Sequence, residues 1–80
     1  MYFVYILKCN DGTLYTGITS DIDRRIKEHN SSKLGAKYTK VRRPVKLVYQ
    51  KEFADRSTAL IEEARIKKLN RSEKLNFIGK

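Results

Sequence analysis

A predicted β-hairpin near the start of the sequence limits the possible folds of this chain more than any other feature. The segment VYILKCNDGTLYTG, Val4 to Gly17, contains two strand-like runs separated by Asn10, Asp11 and Gly12. β-branched and aromatic residues favour strands, whereas Asn, Asp and Gly favour tight turns. The sequence therefore predicts two antiparallel strands joined by a short turn.

The length of this turn decides whether Tyr5 and Tyr15 lie on the same face of the hairpin. Side chains alternate along a strand, so a two-residue turn would place the two tyrosines on opposite faces. A three-residue turn pairs Tyr5 with Gly17 and places both tyrosines on one face. We favour the three-residue turn because Gly17, without a side chain, would leave an open space opposite Tyr5 for the backbone of a ligand.

Three helices and one further strand are predicted after the hairpin. The strand covers residues 45–49, and the helices cover roughly 21–30, 58–70 and 73–78. The predicted N-caps are side chains that accept hydrogen bonds from backbone N–H groups: Thr19 or Ser20, Ser57 and Ser72. We predict an α/β protein with a small three-stranded, mainly antiparallel sheet and the element order β-β-α-β-α-α.

The length and the single cysteine exclude several classes of protein. A chain of 80 residues is predicted to form one domain, residues 1–80. Cys9 has no partner for a disulfide, and a structural zinc site would need about four ligands. The apolar start, residues 1–7, is too short and lacks the basic region of a signal peptide. We expect a soluble, cytoplasmic monomer that binds neither a membrane nor a small-molecule cofactor.

The charge of the chain predicts a polyanionic partner. Lys and Arg number 18 against 9 Asp and Glu, giving a net charge of +9 and a pI of about 9.9. Such a field favours nucleic acid, although solubility, an acidic protein or a membrane surface would also account for it. Cations and an aromatic residue are concentrated in the predicted basic loop, residues 33–43. The candidate nucleic-acid-binding residues there are Lys33, Lys37, Tyr38, Lys40, Arg42 and Arg43.

Two polar residues accompany the apolar stripe of the first helix. Ile22 and Ile26 lie on the predicted buried side, and Arg25 and His29 flank it as an i,i+4 pair. Their polar ends could converge where the stripe meets the sheet. Alternatively, Arg25 extends to solvent and His29 makes an ordinary hydrogen bond.

Glu63 lies inside the widest apolar arc of the second helix, which includes Ala59, Ala64 and Ile66. A carboxylate on a buried face is costly unless it is paired, hydrogen-bonded or bound to a metal. Either Glu63 pairs with Lys67 at i,i+4 or it is a metal ligand.

In this order and spacing, the residues resemble the GIY-YIG nuclease family. The resemblance rests on Val4-Tyr5-Ile6, Tyr15-Thr16-Gly17, Arg25, His29 and Glu63, and it extends over residues 35–49 and 63–78. The chain looks most similar to the short stand-alone members, which are related to the N-terminal nuclease domain of excinuclease. Val4 replaces the glycine of the first motif, and Thr16 replaces the isoleucine of the second.

This resemblance implies metal-dependent hydrolysis of phosphodiester bonds, in DNA rather than RNA, with branched or damaged DNA among the candidate substrates. Glu63 would hold a single Mg²⁺ or Mn²⁺, and Mg²⁺ often needs only one or two carboxylates. Arg25 would neutralise charge on the phosphoryl oxygens, and His29 would orient a tyrosine or a water molecule.

The resemblance also implies that Tyr15 or Tyr5 removes a proton from the attacking water. Because free tyrosine has a pKa of about 10, this role requires nearby positive charge, which Arg25 and the metal could supply. The competing interpretation is a non-catalytic module that binds nucleic acid through the basic loop, residues 33–43, without cutting it.

Overall fold

The predicted fold class and element order are confirmed by the structure, a computed structural model that describes residues 1–31 and 33–78. The strands and helices are β1 (Tyr2–Lys8), β2 (Leu14–Thr19), α1 (Ile22–Ser31), α2 (Lys37–Lys40), β3 (Lys46–Phe53), α3 (Arg56–Lys67) and α4 (Arg71–Ile78). The short helix α2 lies within the basic loop and was not predicted. Within the described part of the chain, no helix has the length and apolar character needed to cross a membrane.

The central strand β1 gives the sheet two apolar faces. The strand order is β2-β1-β3, and both neighbours run antiparallel to β1. On one face, Val4 and Ile6 form a core with Ala59 and Ile66 of α3, which α4 extends. On the other face, the cluster built around Tyr5 and Leu7 packs against α1. Apolar side chains on both faces of one strand therefore hold the helices on opposite sides of the sheet.

The three-residue turn of the hairpin is confirmed, and with it the shared face of the two tyrosines. Tyr5 lies opposite Gly17, and Leu7 lies opposite Tyr15. Gly12 takes the left-handed conformation, with φ of 84°, that this turn requires.

The expected open space at Gly17 is wrong because the ring of Tyr5 itself fills it. A Cβ atom on Gly17 would lie 2.5 Å from the hydroxyl oxygen of Tyr5 and 2.7 Å from its Cζ atom. Gly17 is needed for the close approach of Tyr5, not for that of a ligand.

The predicted N-caps are also wrong, because Asp and Asn side chains nearby take that role. The bonds that cap α1, α3 and α4 are Arg24 N–H to Asp21 (3.1 Å), Thr58 N–H to Asp55 (2.8 Å) and Glu73 N–H to Asn70 (2.9 Å). The side chain of Glu73 returns a bond to the N–H of Asn70, which completes a capping box and ends the preceding helix before residue 70. The predicted caps Ser57 and Ser72 lie inside the first turns of α3 and α4, whereas Thr19 and Ser20 precede the cap of α1.

The buried face of α3 is narrower than predicted. Ala59 and Ile66 are buried, but Ala64 is exposed. Glu63 is consequently at the side of this face, half-buried.

Replacing Gly17 with alanine should destabilise the protein, because the new Cβ would have to displace the buried ring of Tyr5. Overpacking of this kind costs about 1–3 kcal/mol in the free energy of unfolding. Urea denaturation measures this loss. Gly12→Asn is the matched control, since nothing lies within 4 Å of a Cβ there and Asn tolerates the left-handed conformation. Equal stabilities of Gly17→Ala and the wild type would contradict the packing described.

Candidate active site

His29 is the centre of a buried hydrogen-bond chain that joins β1 to the basic loop. Its Nε2 atom lies 2.8 Å from the hydroxyl oxygen of Tyr5, and its Nδ1 atom lies 2.8 Å from Oγ1 of Thr39. Thr39 in turn donates to the carbonyl oxygen of Ala36 at 2.9 Å. His29 and Thr39 are fully buried, so both ring nitrogens have protein partners away from solvent.

Both sequence-predicted tyrosines contact the ring of His29. The ring centroids lie 5.8 Å (Tyr5) and 5.3 Å (Tyr15) from that of His29, both edge-on. Tyr15 also stacks on Tyr38 of α2, at 5.9 Å. The structure thus brings Tyr5, Tyr15 and His29 together on one face of the sheet, beneath the basic loop.

The titration properties of Tyr5 and His29 keep both side chains neutral at pH 7. Burial raises the pKa of Tyr5 to about 12, although Arg25 acts in the opposite direction. The expectation that Arg25 would favour the phenolate is therefore wrong for Tyr5, because in the protein alone burial outweighs this charge. Burial also lowers the pKa of His29 to about 4, and the positive charge of Arg25 adds to the effect.

Arg25 lies at the rim of this cluster and is partly buried. Its Nη1 atom donates to the carboxylate of Glu28 at 2.8 Å and to the carbonyl oxygen of Leu34 at 2.7 Å. Both bonds use one nitrogen of a guanidinium group that has five N–H donors, so the side chain can also bind a phosphate oxygen.

Glu63 lies on α3, on the opposite face of the sheet from the tyrosine cluster. Its carboxylate is 3.5 Å from Nζ of Lys67, so the intrahelical pair is present. Its side chain is 17% exposed, and its negative charge contributes, as the weakest influence, to the raised pKa of Tyr5. Glu63 is thus within electrostatic reach of the tyrosine cluster without a direct bond to it.

The oxygen donors near this strand suit a metal that needs few protein ligands. The hydroxyl group of Thr16, between Tyr15 and Gly17 on β2, is buried and has no hydrogen-bond partner in the described part of the chain. Thr16 faces the side of the sheet that α3 covers, as its pairing with Ile6 shows. Residues 1–31 and 33–78 contain no group of three His, Cys, Asp or Glu side chains placed to share an ion. A carboxylate and a hydroxyl group fit Mg²⁺, which keeps several of its waters, and do not fit zinc.

The basic loop divides into exposed lysines and arginines that bind the protein itself. Lys33, Lys37 and Lys40 are exposed. Arg42 pairs with Asp11 at 3.0 Å, and its guanidinium carbon lies 3.9 Å from the centre of the Tyr38 ring.

Arg43 donates to the carbonyl oxygens of His29 and Glu28 at the end of α1. The two arginines therefore fasten the loop to the hairpin turn and to α1, and their contact with nucleic acid stays a prediction.

Thr39 is the site residue that the sequence analysis missed. It lies in a four-residue helix, too short for a hydrophobic period, and a threonine among lysines resembles any solvated loop residue. Its position next to Tyr38 was the only signal in the sequence.

The low pKa of His29 should make the protein less stable in mild acid. The unfolded chain, with a pKa near 6.5, binds a proton between pH 6.5 and 4, whereas the folded protein does not. The stabilisation is complete above pH 6.5 and is lost as the pH falls towards 4. This group alone should reduce the free energy of unfolding by about 2 kcal/mol between pH 7 and pH 5.

Urea denaturation at the two pH values measures this change. His29→Gln is the control, since it keeps a polar side chain but cannot titrate, and its pH dependence should be smaller by the same amount. Identical pH dependence in both proteins would show that His29 is not buried in its neutral form.

Comparisons with known proteins agree with this arrangement. The family model described as the GIY-YIG catalytic domain matches residues 1–76. A UPF0213 protein of Staphylococcus epidermidis is 54% identical over 77 residues, which cover 96% of this chain and 93% of that protein. A UPF0213 protein of Syntrophus aciditrophicus is 58% identical over 76 residues, covering 95% and 87% of the two chains.

Solved structures show the same fold. The solution NMR structure of a UPF0213 protein from Bacillus halodurans has a TM-score of 0.63 and 45% identity, and the match covers 99% of this chain and 84% of that one. A protein from E. faecalis, also solved by NMR, has a TM-score of 0.63 and 39% identity over 95% and 81% of the two chains. The family match over nearly the whole chain, together with these relatives, shows that the protein belongs to the GIY-YIG family, among its short UPF0213 members.

Proposed function

We propose that this protein is a metal-dependent endonuclease that hydrolyses phosphodiester bonds in DNA, including branched or damaged DNA. The observation that carries the proposal is the gathering of Tyr5, Tyr15 and His29 on one face of the sheet, with Arg25 at the rim. The family match supports a nuclease, and the net charge of +9 supports a polyanionic substrate.

Tyr15 is the better candidate for contact with the attacking water. Tyr5 is only 2% exposed, has a pKa of about 12 and is bonded to His29. Tyr15 is half-buried, and the described residues provide no hydrogen-bond partner for its hydroxyl group. In this proposal Tyr15 accepts the proton of the water, while Tyr5 and His29 hold its ring in place.

Arg25 is suited to stabilise charge on the phosphoryl group. Phosphoryl transfer spreads negative charge over the non-bridging oxygens, and a fixed cation lowers the barrier most where this charge develops. The bonds of Arg25 to Glu28 and to the Leu34 carbonyl hold its guanidinium at the rim before a substrate arrives. Such preorganisation avoids a reorganisation cost during the reaction.

Glu63 would hold a single Mg²⁺ or Mn²⁺, with the buried hydroxyl group of Thr16 as the nearest further oxygen donor on that side of β2. Such an ion would supply Lewis acidity towards the leaving oxygen. Lys67 would have to release Glu63 for this purpose, and their separation of 3.5 Å in a partly exposed pair costs little to break.

The exposed lysines of the basic loop, Lys33, Lys37 and Lys40, are the candidate contacts to the phosphate backbone. Tyr38 is 37% exposed, but its ring already contacts Tyr15 and Arg42. The proposal therefore assigns affinity to the lysines and the orientation of Tyr15 to Tyr38. The lone, buried Cys9 is consistent with a monomer in the cytoplasm, where thiols stay reduced.

Glu63→Gln should abolish Mg²⁺-dependent cleavage, because the amide cannot supply the negative charge that holds the ion. We expect a loss of more than about 100-fold, since even outer-shell partners of a metal account for 10- to 100-fold. The assay compares single-stranded, duplex, flapped and branched DNA and RNA, with Mg²⁺, with Mn²⁺ and with chelator. Glu62→Gln is the matched control, because Glu62 is the neighbouring carboxylate on α3 and pairs with Arg65.

The outcomes of this experiment separate the alternatives. Cleavage that survives Glu63→Gln would mean that another residue holds the metal. Binding without cleavage by the wild type would favour a non-catalytic nucleic-acid-binding module, and cutting of RNA alone would reverse the preference for DNA.

Neutralising Lys37 and Lys40 together should weaken the salt dependence of DNA binding. Each lost phosphate contact lowers the slope of log K against log salt by about 0.9 on duplex DNA, or about 1.8 for two contacts. Binding titrations at several salt concentrations measure this slope. The control, Lys27→Gln with Lys51→Gln, changes the net charge equally at exposed positions outside the loop. An equal slope change in both double variants would place the footprint elsewhere.

A further inference from the structure

Three short contacts connect four groups in the buried chain at His29, and each contact requires one hydrogen atom. They join Tyr5 to Nε2 of His29 (2.8 Å), Nδ1 of His29 to Thr39 (2.8 Å) and Thr39 to the carbonyl oxygen of Ala36 (2.9 Å). Tyr5, His29 and Thr39 are at most 2% exposed, so water does not supply partners. The positions of the hydrogens are therefore decided within the chain.

Counting hydrogens gives one arrangement that satisfies all three contacts. The Ala36 carbonyl has no hydrogen, so the hydroxyl group of Thr39 donates to it. The oxygen of Thr39 must then accept from Nδ1 of His29, whose neutral ring carries a single hydrogen. Nε2 is left as an acceptor for the hydroxyl group of Tyr5.

The opposite tautomer leaves one contact without a hydrogen. If Thr39 donated to Nδ1, its oxygen and that of Ala36 would face each other at 2.9 Å with no hydrogen between them. One group favours this tautomer: the backbone N–H of Ala36 lies 3.4 Å from Nδ1, the longest contact in the cluster. The Thr39 hydroxyl, at 2.8 Å, outweighs this weaker donor.

We propose that Thr39 is a positioning residue of this site, whose hydroxyl group keeps the hydrogen of His29 on Nδ1 so that Nε2 accepts from Tyr5. Thr39 touches neither the substrate nor the reacting atoms and acts through His29. Its neighbour Tyr38 stacks on Tyr15, so α2 orients both tyrosines of the site, one by stacking and one through a histidine tautomer.

The tautomer matters because of what surrounds the hydroxyl group of Tyr5. With its hydrogen given to His29, the oxygen of Tyr5 can accept from Arg25, whose proximity lowers the pKa of Tyr5 against the effect of burial. In the other tautomer, Nε2–H donates to Tyr5, and the tyrosine hydrogen turns away from His29 towards this cation. Tyr5 and Arg25 would then confront each other as donors, displacing the guanidinium group.

The single histidine of the chain makes the tautomer directly measurable. In a ¹⁵N-labelled protein, the ring nitrogen that carries the hydrogen resonates well upfield of the bare nitrogen, and two-bond couplings to the ring carbons' hydrogens identify it. We expect Nδ1–H in the wild type and in Thr39→Ser, which keeps the hydroxyl group. Thr39→Val has nearly the same shape, and we expect it to shift His29 to Nε2–H, with the Ala36 N–H donating to Nδ1.

The fold should tolerate Thr39→Val because the Ala36 carbonyl still accepts from the backbone N–H groups of residues 39 and 40. An amide ¹H–¹⁵N spectrum of each variant checks this. Nε2–H in the wild-type protein would overturn the proposal whether or not the variants fold. Retention of Nδ1–H in Thr39→Val would overturn it as well.

The second readout is cleavage, and this half rests on the proposed nuclease function. Thr39→Val should lower kcat about tenfold with little change in KM, and Thr39→Ser should restore it. Equal kcat in all three proteins, with the tautomer shifted as expected, would overturn the positioning role. A wild type that cuts no substrate would contradict the proposed function, whereas the tautomer result would stand by itself.

Discussion

The site depends on the burial of a neutral histidine between the sheet and the basic loop. An imidazole ring without access to water is tolerated only if both nitrogens have partners, since an unsatisfied buried polar group costs about 1–3 kcal/mol. Tyr5 satisfies one nitrogen from β1, and Thr39 satisfies the other from α2. The position of the loop relative to the sheet is therefore tied to the hydrogen bonds of His29.

The cations around His29 have a structural role that the net charge conceals. Arg43 binds the last carbonyls of α1, and Arg42 binds the hairpin turn through Asp11. Asn30 adds two bonds to the backbone of Val45, which fix the end of α1 to the start of β3. The segment between α1 and β3 is long for a loop in so small a domain, and these contacts offset part of its ordering entropy. Affinity for nucleic acid then depends more on the exposed lysines.

The sequence predicts those features that depend on periodicity and local turn chemistry. Alternation and the turn at residues 10–12 were sufficient for the register that places Tyr5 and Tyr15 on one face. Features that depend on the packing of distant segments were not predictable. The space at Gly17 is filled by a ring from the neighbouring strand, and Thr39 contacts a histidine ten residues away. The caps failed for a simpler reason: several adjacent residues could cap each helix, and packing selected Asp21, Asp55 and Asn70.

The two sides of the candidate site meet at β2, an edge strand of the sheet. Tyr15 faces the α1 side, where the histidine lies, whereas Thr16 faces the α3 side, where Glu63 lies. Alternation along one strand thus directs neighbouring side chains to the two halves of the site. Gly17 follows them without a side chain, and the ring of Tyr5 occupies the space opposite it. A tyrosine, a small polar residue and a glycine in succession on an edge strand therefore connect a hydrogen-bonded histidine on one face with a carboxylate on the other. Neither helix alone could bring these groups within electrostatic reach of each other.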